Sequence, residues 1–201
     1  VIDHQSGFAV EQDIYEDLLE DGCWHVHLGI DIGSTSTKAV LLDNRKRVVG
    51  AWYTRTAGRP LAAVQAICCC IARLEEQHGR SFRVCSASTT GSGRKYIGNI
   101  IGADLILDEI TAHARAATEL NEAVDTIIEI GGQDAKFTTL AGGRVSSSIM
   151  NNVCAAGTGS FIEEQAARLG CPVEDYAERT AGVAAPMASD RCTVFMERDI
   201  N

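Results

Sequence analysis

The sequence lacks the features that mark several protein classes. No run of about 18 apolar residues occurs, so no transmembrane helix is predicted. No basic segment followed by an apolar one begins the chain, so the sequence does not support secretion. Positive charge is also scarce, because 18 Lys and Arg stand against 27 Asp and Glu, a net charge of −9. Without a basic cluster, nucleic acid and anionic membranes are not expected partners.

Cysteine is abundant, but the spacing of the cysteines argues against the common metal-binding and redox motifs. None of the eight cysteines forms a CxxC pair, which argues against a zinc ribbon or a thioredoxin-like site. Cys68, Cys69 and Cys70 are consecutive, so they would point in three directions from a helix, and we interpret them as helix residues without a common site. This cysteine usage fits the reducing cytoplasm best.

The hydrophobic pattern predicts an α/β chain in two lobes. We interpret residues 1–24 as an acidic lead-in or linker with helical character, residues 25–124 as a first lobe, and residues 125–201 as a second lobe that is incomplete at its C-terminus. In the first lobe, three strands form an antiparallel meander over HVHLGIDIG, TKAVLLD and RVVGAWYTRT. Cys23, His25 and His27 would share the outward face of an edge strand, with a metal site as the alternative.

Helices and hairpins are predicted to complete both lobes. A helix runs from Pro60 to about Gln77, and the strand at 83–89 leads through the turn TTGSGR into helices that end near Ile101 and Leu120. Next come a buried strand at 125–132, a hairpin closed by Gly142 and Gly143, and a helix at 172–182. A last helix, capped by Asp190, still continues at residue 201, so we expect the sequence to be a fragment.

The first motif that indicates chemistry is GIDIGSTSTKAVLLD. A strand ends in Asp31, and a tight turn leads directly into the next strand. Asp31 is placed to hold Mg²⁺ through water, because Mg²⁺ favours one or two carboxylates together with phosphates. The turn offers backbone access, hydroxyl and N–H donors and one cation to phosphates through Gly33, Ser34, Thr35, Ser36 and Lys38. The GxxxxGK[ST] spacing of a Walker A loop is absent.

The second motif, IIEIGGQDAKF, has the same outline of strand, acid and glycines. Gly131 and Gly132 give access to the backbone. Glu129, Gln133 and Asp134 are candidates to position Mg²⁺ or an attacking water beside a γ-phosphate. Two such hairpins indicate two equivalent lobes that hold phosphates from both sides.

A third stretch, NNVCAAGTGSFIEEQAARLG, places Cys154 just before a helix. Gly157, Thr158 and Gly159 form the turn at its start, where unpaired N–H groups would suit an anion. The helix dipole would favour the thiolate of Cys154, and thus metal binding. The alternative is a capped helix with a small buried cysteine. Phe161, Ile162, Ala166 and Leu169 are predicted to form its buried face.

These motifs together resemble a known family. The phosphate motifs are similar to those of the actin, sugar kinase and heat-shock ATPase superfamily, which has a ribonuclease-H-like core. More narrowly, EITAHARAA, IIEIGGQDAKF, NNVCAAGTGSFIEEQA and RCTVF resemble the activator ATPases of 2-hydroxyacyl-CoA dehydratases and the ATP-binding subunits of benzoyl-CoA reductase. The superfamily commonly has Asp in its second motif where this chain has Glu129, and the resemblance places the segment that closes over adenine beyond residue 201.

The resemblance implies an iron–sulfur function. In that family, two cysteines per chain ligate one [4Fe–4S] cluster across a homodimer, and they match Cys154 and Cys192. Four thiolates are the usual ligand set for such a cluster, and a two-fold axis supplies each cysteine twice. The implied activity is ATP-driven delivery of an electron from a ferredoxin or flavodoxin to a dehydratase or reductase. The alternatives are a cluster-free sugar or acid kinase and a nucleotide-binding regulatory domain.

Overall fold

The computed structural model describes residues 2–3, 7–15, 22–151, 158–185, 187 and 195–197. The chain divides into two compact units, Val1–His113 and Ala114–Asn201. The predicted lobes, with their boundary after residue 124, stay a prediction. No helix in the described part of the chain combines the length and the apolar character that crossing a bilayer requires.

The first unit is built on a seven-stranded mixed sheet in the order β1-β2-β5-β4-β3-β6-β7. Strands β3, β4 and β5 are antiparallel neighbours, so the predicted meander is confirmed. Strands β6 and β7 add to the sheet in parallel. The strands are β1 (Ile2–Asp3), β2 (Ala9–Ile14), β3 (Cys23–Ile32), β4 (Ser36–Asp43), β5 (Val48–Arg55), β6 (Ser81–Thr90) and β7 (Leu105–Ile106).

Helix α1 (Pro60–His78) supplies one side of the core of the first unit. Pro60 stands at its first turn, where a missing N–H does no harm, and the helix ends at Gly79 in the left-handed conformation. Its buried face belongs to one core cluster with apolar side chains of the sheet and of α2 (Arg94–Ile101). The buried core includes Val26, Ile30, Ile32, Ala39, Leu41, Val49, Trp52, Ala63, Val64, Ala66, Ile67, Cys70, Leu74 and Ile97.

The prediction of a helical lead-in is wrong for the segment that forms β2. This strand pairs antiparallel with β5, and Gln12 accepts a hydrogen bond from Trp52 Nε1 at 3.3 Å. Val10 is fully buried and Phe8 is 4% exposed. The many acidic residues suggest a solvated helix, but the period-two burial of this segment and the open edge of β5 favour a strand.

The prediction of an edge strand for β3 is also wrong. Strand β3 lies between β4 and β6 in the interior of the sheet. Cys23 and His25 are exposed, and His27 contacts Ser86 Oγ through Nδ1 at 2.8 Å. Because one face of this strand is open to solvent, its polar side chains are satisfied without an edge position.

The second unit contains a three-stranded antiparallel sheet in the order β10-β9-β8. Its strands are β8 (Thr126–Ile130), β9 (Ala135–Ala141) and β10 (Arg144–Asn151), so the predicted hairpin is confirmed. Helix α3 (Glu109–Leu120) contains the boundary between the units, and α4 (Gly159–Leu169) follows β10. The predicted helix at 172–182 is shorter: a 3₁₀ turn at Val173–Asp175 leads into α5 (Tyr176–Arg179).

Two surfaces of the second unit that are predicted to be buried are partly exposed. Strand β8 was predicted to be buried, but Ile128 is 71% exposed and Ile130 is 59% exposed. In α4, Ile162 and Leu169 are also exposed, whereas Gln165 and Ala166 are buried. Apolar character predicted burial here, but a three-stranded sheet covers little surface by itself.

Candidate functional site

The first loop, residues 31–38, joins β3 to β4 and has a fixed backbone. Gly33 N donates to Ser36 O at 2.9 Å, which closes the turn. Thr56 anchors it from the end of β5, since its N donates to Thr35 O at 2.8 Å and its Oγ1 donates to Gly33 O at 2.8 Å. Ser34 remains exposed at the tip. Sequence reasoning missed Thr56, because no local pattern links it to a turn twenty residues earlier.

Asp31 lies at the end of β3 with a partly exposed carboxylate. Its Oδ2 lies 3.2 Å from Lys38 Nζ, and the two side chains are 26% and 50% exposed. Ion pairs this exposed contribute little stability. Asp31 Oδ1 is buried and has no hydrogen-bond partner among the described residues. One carboxylate with an unsatisfied oxygen fits the predicted role of holding Mg²⁺ through water.

The glycine turn, residues 90–93, packs directly against Asp31. Gly93 N and Ser92 Oγ both donate to Ile32 O, at 2.9 and 3.3 Å. Gly91 has a φ of 84°, and a Cβ on it would lie 2.4 Å from Asp31 Oδ1. Only glycine therefore fits beside this carboxylate. The sequence TTGSGR predicts only a turn by itself, although two glycines just after a strand signal a close backbone approach.

The second loop, residues 129–136, joins β8 to β9. Gly131 N donates to Asp134 O at 2.8 Å, which closes the turn, and Gln133 is exposed. Lys136 Nζ lies 2.8 Å from Glu129 Oε2 and 2.8 Å from Asp134 Oδ1. The structure thus brings together two of the predicted catalytic carboxylates. Lys136 has no role in the prediction from sequence, although a lysine two positions after Asp134 lies on the same side of an extended chain.

The start of α4 is bonded to the second loop. Gly159 N donates to Gly131 O at 2.9 Å, and Ser160 N donates to Gly132 O at 3.2 Å. Thr158 Oγ1 also donates to Gly132 O, at 3.0 Å, and Thr158 is fully buried. The expectation of unpaired N–H groups at this helix start is therefore wrong for Gly159 and Ser160. Their donors bind the loop carbonyls, because the glycines let the two backbones approach closely.

The predicted cluster ligands Cys154 and Cys192 lie outside the described residues, as does Gly157. Each of the six described cysteines is a free thiol. Burial raises the pKa of the thiol of Cys70, which disfavours the thiolate that a metal would bind. This agrees with the interpretation that the three consecutive cysteines share no site.

The sequence of this chain is similar to those of known activator proteins. The chain is 35% identical over 178 residues to the (R)-2-hydroxyglutaryl-CoA dehydratase activating ATPase of Acidaminococcus fermentans, covering 86% of this chain and 65% of that protein. It is 37% identical over 180 residues to the activator of lactoyl-CoA dehydratase of Anaerotignum propionicum, with the same coverage. The chain thus spans about two-thirds of the length of these relatives.

A solved structure agrees with the sequence relatives. The activator of 2-hydroxyisocaproyl-CoA dehydratase from Clostridium difficile, with bound ADPNP, superposes with a TM-score of 0.70 at 31% identity, over 87% of this chain and 64% of that one. The predicted α/β fold is confirmed by this likeness. A model of the BadF/BadG/BcrA/BcrD ATPase family matches residues 28–201. The chain therefore belongs to the BadF/BadG/BcrA/BcrD ATPase family.

Proposed function

We propose that this protein is an ATP-dependent activator that delivers a low-potential electron to an acyl-CoA dehydratase or reductase. Membership of the BadF/BadG/BcrA/BcrD ATPase family carries this proposal. It is supported by relatives that are named activators of 2-hydroxyglutaryl-CoA and lactoyl-CoA dehydratases. A related activator structure with ADPNP supports a nucleotide as the ligand.

The nucleotide contacts are proposed for the two loops and the start of α4. In the first loop, Asp31 would hold Mg²⁺ through water, and the turn donors would bind phosphate oxygens. In the second loop, Glu129, Gln133 and Asp134 would position the attacking water. The further residues proposed to contact ATP are Gly33, Ser34, Thr35, Ser36, Lys38, Gly131, Gly132, Gly157, Thr158 and Gly159.

The proposed electron carrier is a [4Fe–4S] cluster held by Cys154 and Cys192 of each chain of a homodimer. Such a cluster accepts and releases one electron at a potential set by its surroundings. Cysteine thiolates are its usual ligands, so this donor set fits the group. The partner enzyme would take up the electron, and a ferredoxin or flavodoxin would supply it.

The hydrogen bonds between α4 and the second loop support a coupling between nucleotide and cysteine. Cys154 precedes α4 by only five positions. A change in the loop carbonyls of Gly131 and Gly132 would act directly on the donors of Gly159 and Ser160. ATP can drive such a change only by binding one conformation more tightly than another, and about 3 kcal/mol of preference corresponds to roughly a hundredfold shift.

Anaerobic expression of the full-length protein, followed by iron and sulfide assays, tests this proposal. We expect about four irons per dimer, which are lost in Cys154→Ala and in Cys192→Ala. Cys85→Ala, at an exposed cysteine of the first unit, is the matched control and should keep the iron. An iron-free wild type that phosphorylates a sugar would contradict the proposal and support the kinase alternative. An iron-free protein that binds ATP without turnover would indicate a regulatory domain.

A further inference from the structure

Lys136 is a buried cation held between two carboxylates of the second loop. Its side chain is 6% exposed, while those of Glu129 and Asp134 are 17% and 37% exposed. A buried ammonium is tolerated only where oxygen partners replace its hydration. Both ion pairs are 2.8 Å long, so the ammonium has strong partners on two sides.

The hairpin itself holds these three side chains together. Glu129 and Lys136 are directly opposite in the register of β8 and β9, so they project from the same face. The hydrogen bond from Gly131 N to Asp134 O turns the chain back at 2.8 Å. A Cβ on Gly131 would lie 3.2 Å from Asp134 Oδ1 and 3.3 Å from Glu129 Oε1. The backbone therefore leaves little freedom to either carboxylate.

The ammonium stands where a cation shared by Glu129 and Asp134 would have to bind. One oxygen of each carboxylate, Oε2 and Oδ1, already contacts Nζ. Mg²⁺ would require oxygens at about 2.0–2.1 Å in an octahedral shell, and it cannot share that place with a second cation. Direct Mg²⁺ ligation by these two residues, one of the roles considered for them, does not fit the described geometry.

We propose that Lys136 is a positioning residue that acts as a built-in cation of the second loop. It fixes Glu129 and Asp134 so that they orient the attacking water and do not ligate Mg²⁺. This inference deepens the proposed ATPase function and rests on it. The two ion pairs of Lys136 use Glu129 Oε2 and Asp134 Oδ1, and the second oxygen of each carboxylate would accept hydrogen bonds from water.

The hydrolysis that this arrangement would serve balances without a further reactant. The water oxygen forms a bond to the γ-phosphorus, and the bond from that phosphorus to the bridging oxygen of ADP breaks. The proton of the water passes to a carboxylate oxygen of the loop and from there to inorganic phosphate. In this scheme, the first loop and the phosphates would bind Mg²⁺.

Mn²⁺ binding to the full-length protein without nucleotide, followed by electron paramagnetic resonance, tests the built-in cation. Lys136→Met leaves two adjacent carboxylates without their cation, so we expect it to bind Mn²⁺ at least tenfold more tightly than wild type. Lys136→Arg keeps the charge and should show no gain. Arg179→Met is the control: it removes an exposed cation from one carboxylate, that of Asp175, outside the proposed site, and its Mn²⁺ affinity should change less than threefold. A folded Lys136→Met variant with wild-type Mn²⁺ affinity would overturn the inference.

Two further variants keep the inference testable if Lys136→Met does not fold. Glu129→Gln and Asp134→Asn each leave Lys136 one carboxylate, and both should keep the wild-type Mn²⁺ affinity within threefold. A tenfold loss in either variant would mean that these carboxylates ligate the metal, and the inference would fall.

ATPase assays separate this inference from the proposed function. We expect Lys136→Met to lower kcat about a hundredfold with KM for ATP within threefold, because the loop would lose its catalytic geometry and not its nucleotide contacts. Lys136→Arg should recover at least a tenth of the wild-type kcat. A wild type without ATPase activity would refute the proposed function, whereas a gain of Mn²⁺ binding in Lys136→Met would still support the built-in cation.

Discussion

The first and second loops share one outline but are held by different forces. In both loops, an acid at the end of a strand is followed by a turn that contains glycine and then by a second strand that carries a lysine. In the first loop, Lys38 is half exposed and, among the described residues, forms its one ion pair with Asp31. In the second loop, Lys136 is buried and contacts two carboxylates.

A repeated motif therefore does not imply a repeated role. Hydroxyl and backbone donors from Thr56 fix the first loop, which leaves the carboxylate of Asp31 only weakly paired. Ion pairs and the start of α4 fix the second loop, so its acids serve partly as structure. We therefore expect the two loops to respond differently to matched substitutions.

The largest difference is expected in catalysis. Asp31→Asn should lower kcat for ATP about 10²–10³-fold, because it removes the one charge of the first loop that is free to act on Mg²⁺. Asp134→Asn should lower kcat about tenfold, since Glu129 still pairs with Lys136. Steady-state ATPase assays of the full-length protein measure both values, and equal losses would contradict the division of roles.

The next effect concerns how tightly the glycine turn encloses the carboxylate of Asp31. Gly91→Ala should lower the free energy of unfolding by about 3 kcal/mol, because it adds a clash with Asp31 to the strain of a positive φ. Gly102→Ala is the control, since Gly102 has a φ of 64° and nothing within 4 Å of the added Cβ. It should lose only about 1 kcal/mol in urea unfolding. Similar losses in both variants would show that the glycine turn does not enclose Asp31.

A smaller difference is expected for the two buried threonines that bond the loop carbonyls. Thr56→Val should lower the free energy of unfolding by about 1–2 kcal/mol, because the hydroxyl donor to Gly33 O is lost. Thr158→Val should lose less than about 1 kcal/mol, since Gly132 O keeps Ser160 as a donor. Thermal unfolding of both variants checks this order, and a larger loss for Thr158→Val would reverse the comparison.

The smallest expected effect comes from Asp108, a carboxylate outside both loops. Its contribution to the pH dependence of the unfolding free energy must be subtracted before the two loops are compared by pH. Hydrogen bonds from the Thr111 hydroxyl and N–H hold the pKa of Asp108 below its ordinary value. A lowered pKa stabilises the folded state above the ordinary value of about 4, and this contribution is lost as pH falls through the folded value.

Asp108→Asn keeps a side-chain cap on α3 without a charge to titrate. Because Asp108 is exposed, we expect the acid loss of unfolding free energy to shrink by at most about 0.5 kcal/mol. Urea unfolding at several pH values between 2 and 5 measures it. An unchanged pH dependence would mean that Asp108 does not contribute.

Local patterns predicted most elements of the fold. The meander of β3 to β5 and helix α1 follow from alternation, from turn residues and from Pro60, all of which act over a few positions. Long-range pairing was not predictable in the same way. Strand β2 forms because β5 offers an open edge, and Gln12 meets Trp52 across forty positions. Acidic composition alone therefore favoured the wrong element.

The acids and glycines of the candidate site were predictable from the sequence. The groups that hold them in place were not. Asp31 and Glu129 lie at the ends of strands and precede glycines, a pattern visible in the sequence. Thr56 reaches the first loop only through the sheet, so no spacing reveals it. The two glycines of the glycine turn indicate a close backbone approach but not that Asp31 is its partner. Lys136 was visible in the second motif, but only its burial between two carboxylates indicates a role.

The pairing of β2 with β5 has a consequence for anyone who expresses part of this chain. The family match begins at residue 28, within β3 and after Phe8 and Val10, which belong to the buried core. A version trimmed to the family match would lose these side chains, the first half of β3 and the strand that covers β5. Its bare β5 edge would be open to pairing with other molecules. A usable boundary therefore lies before Gly7.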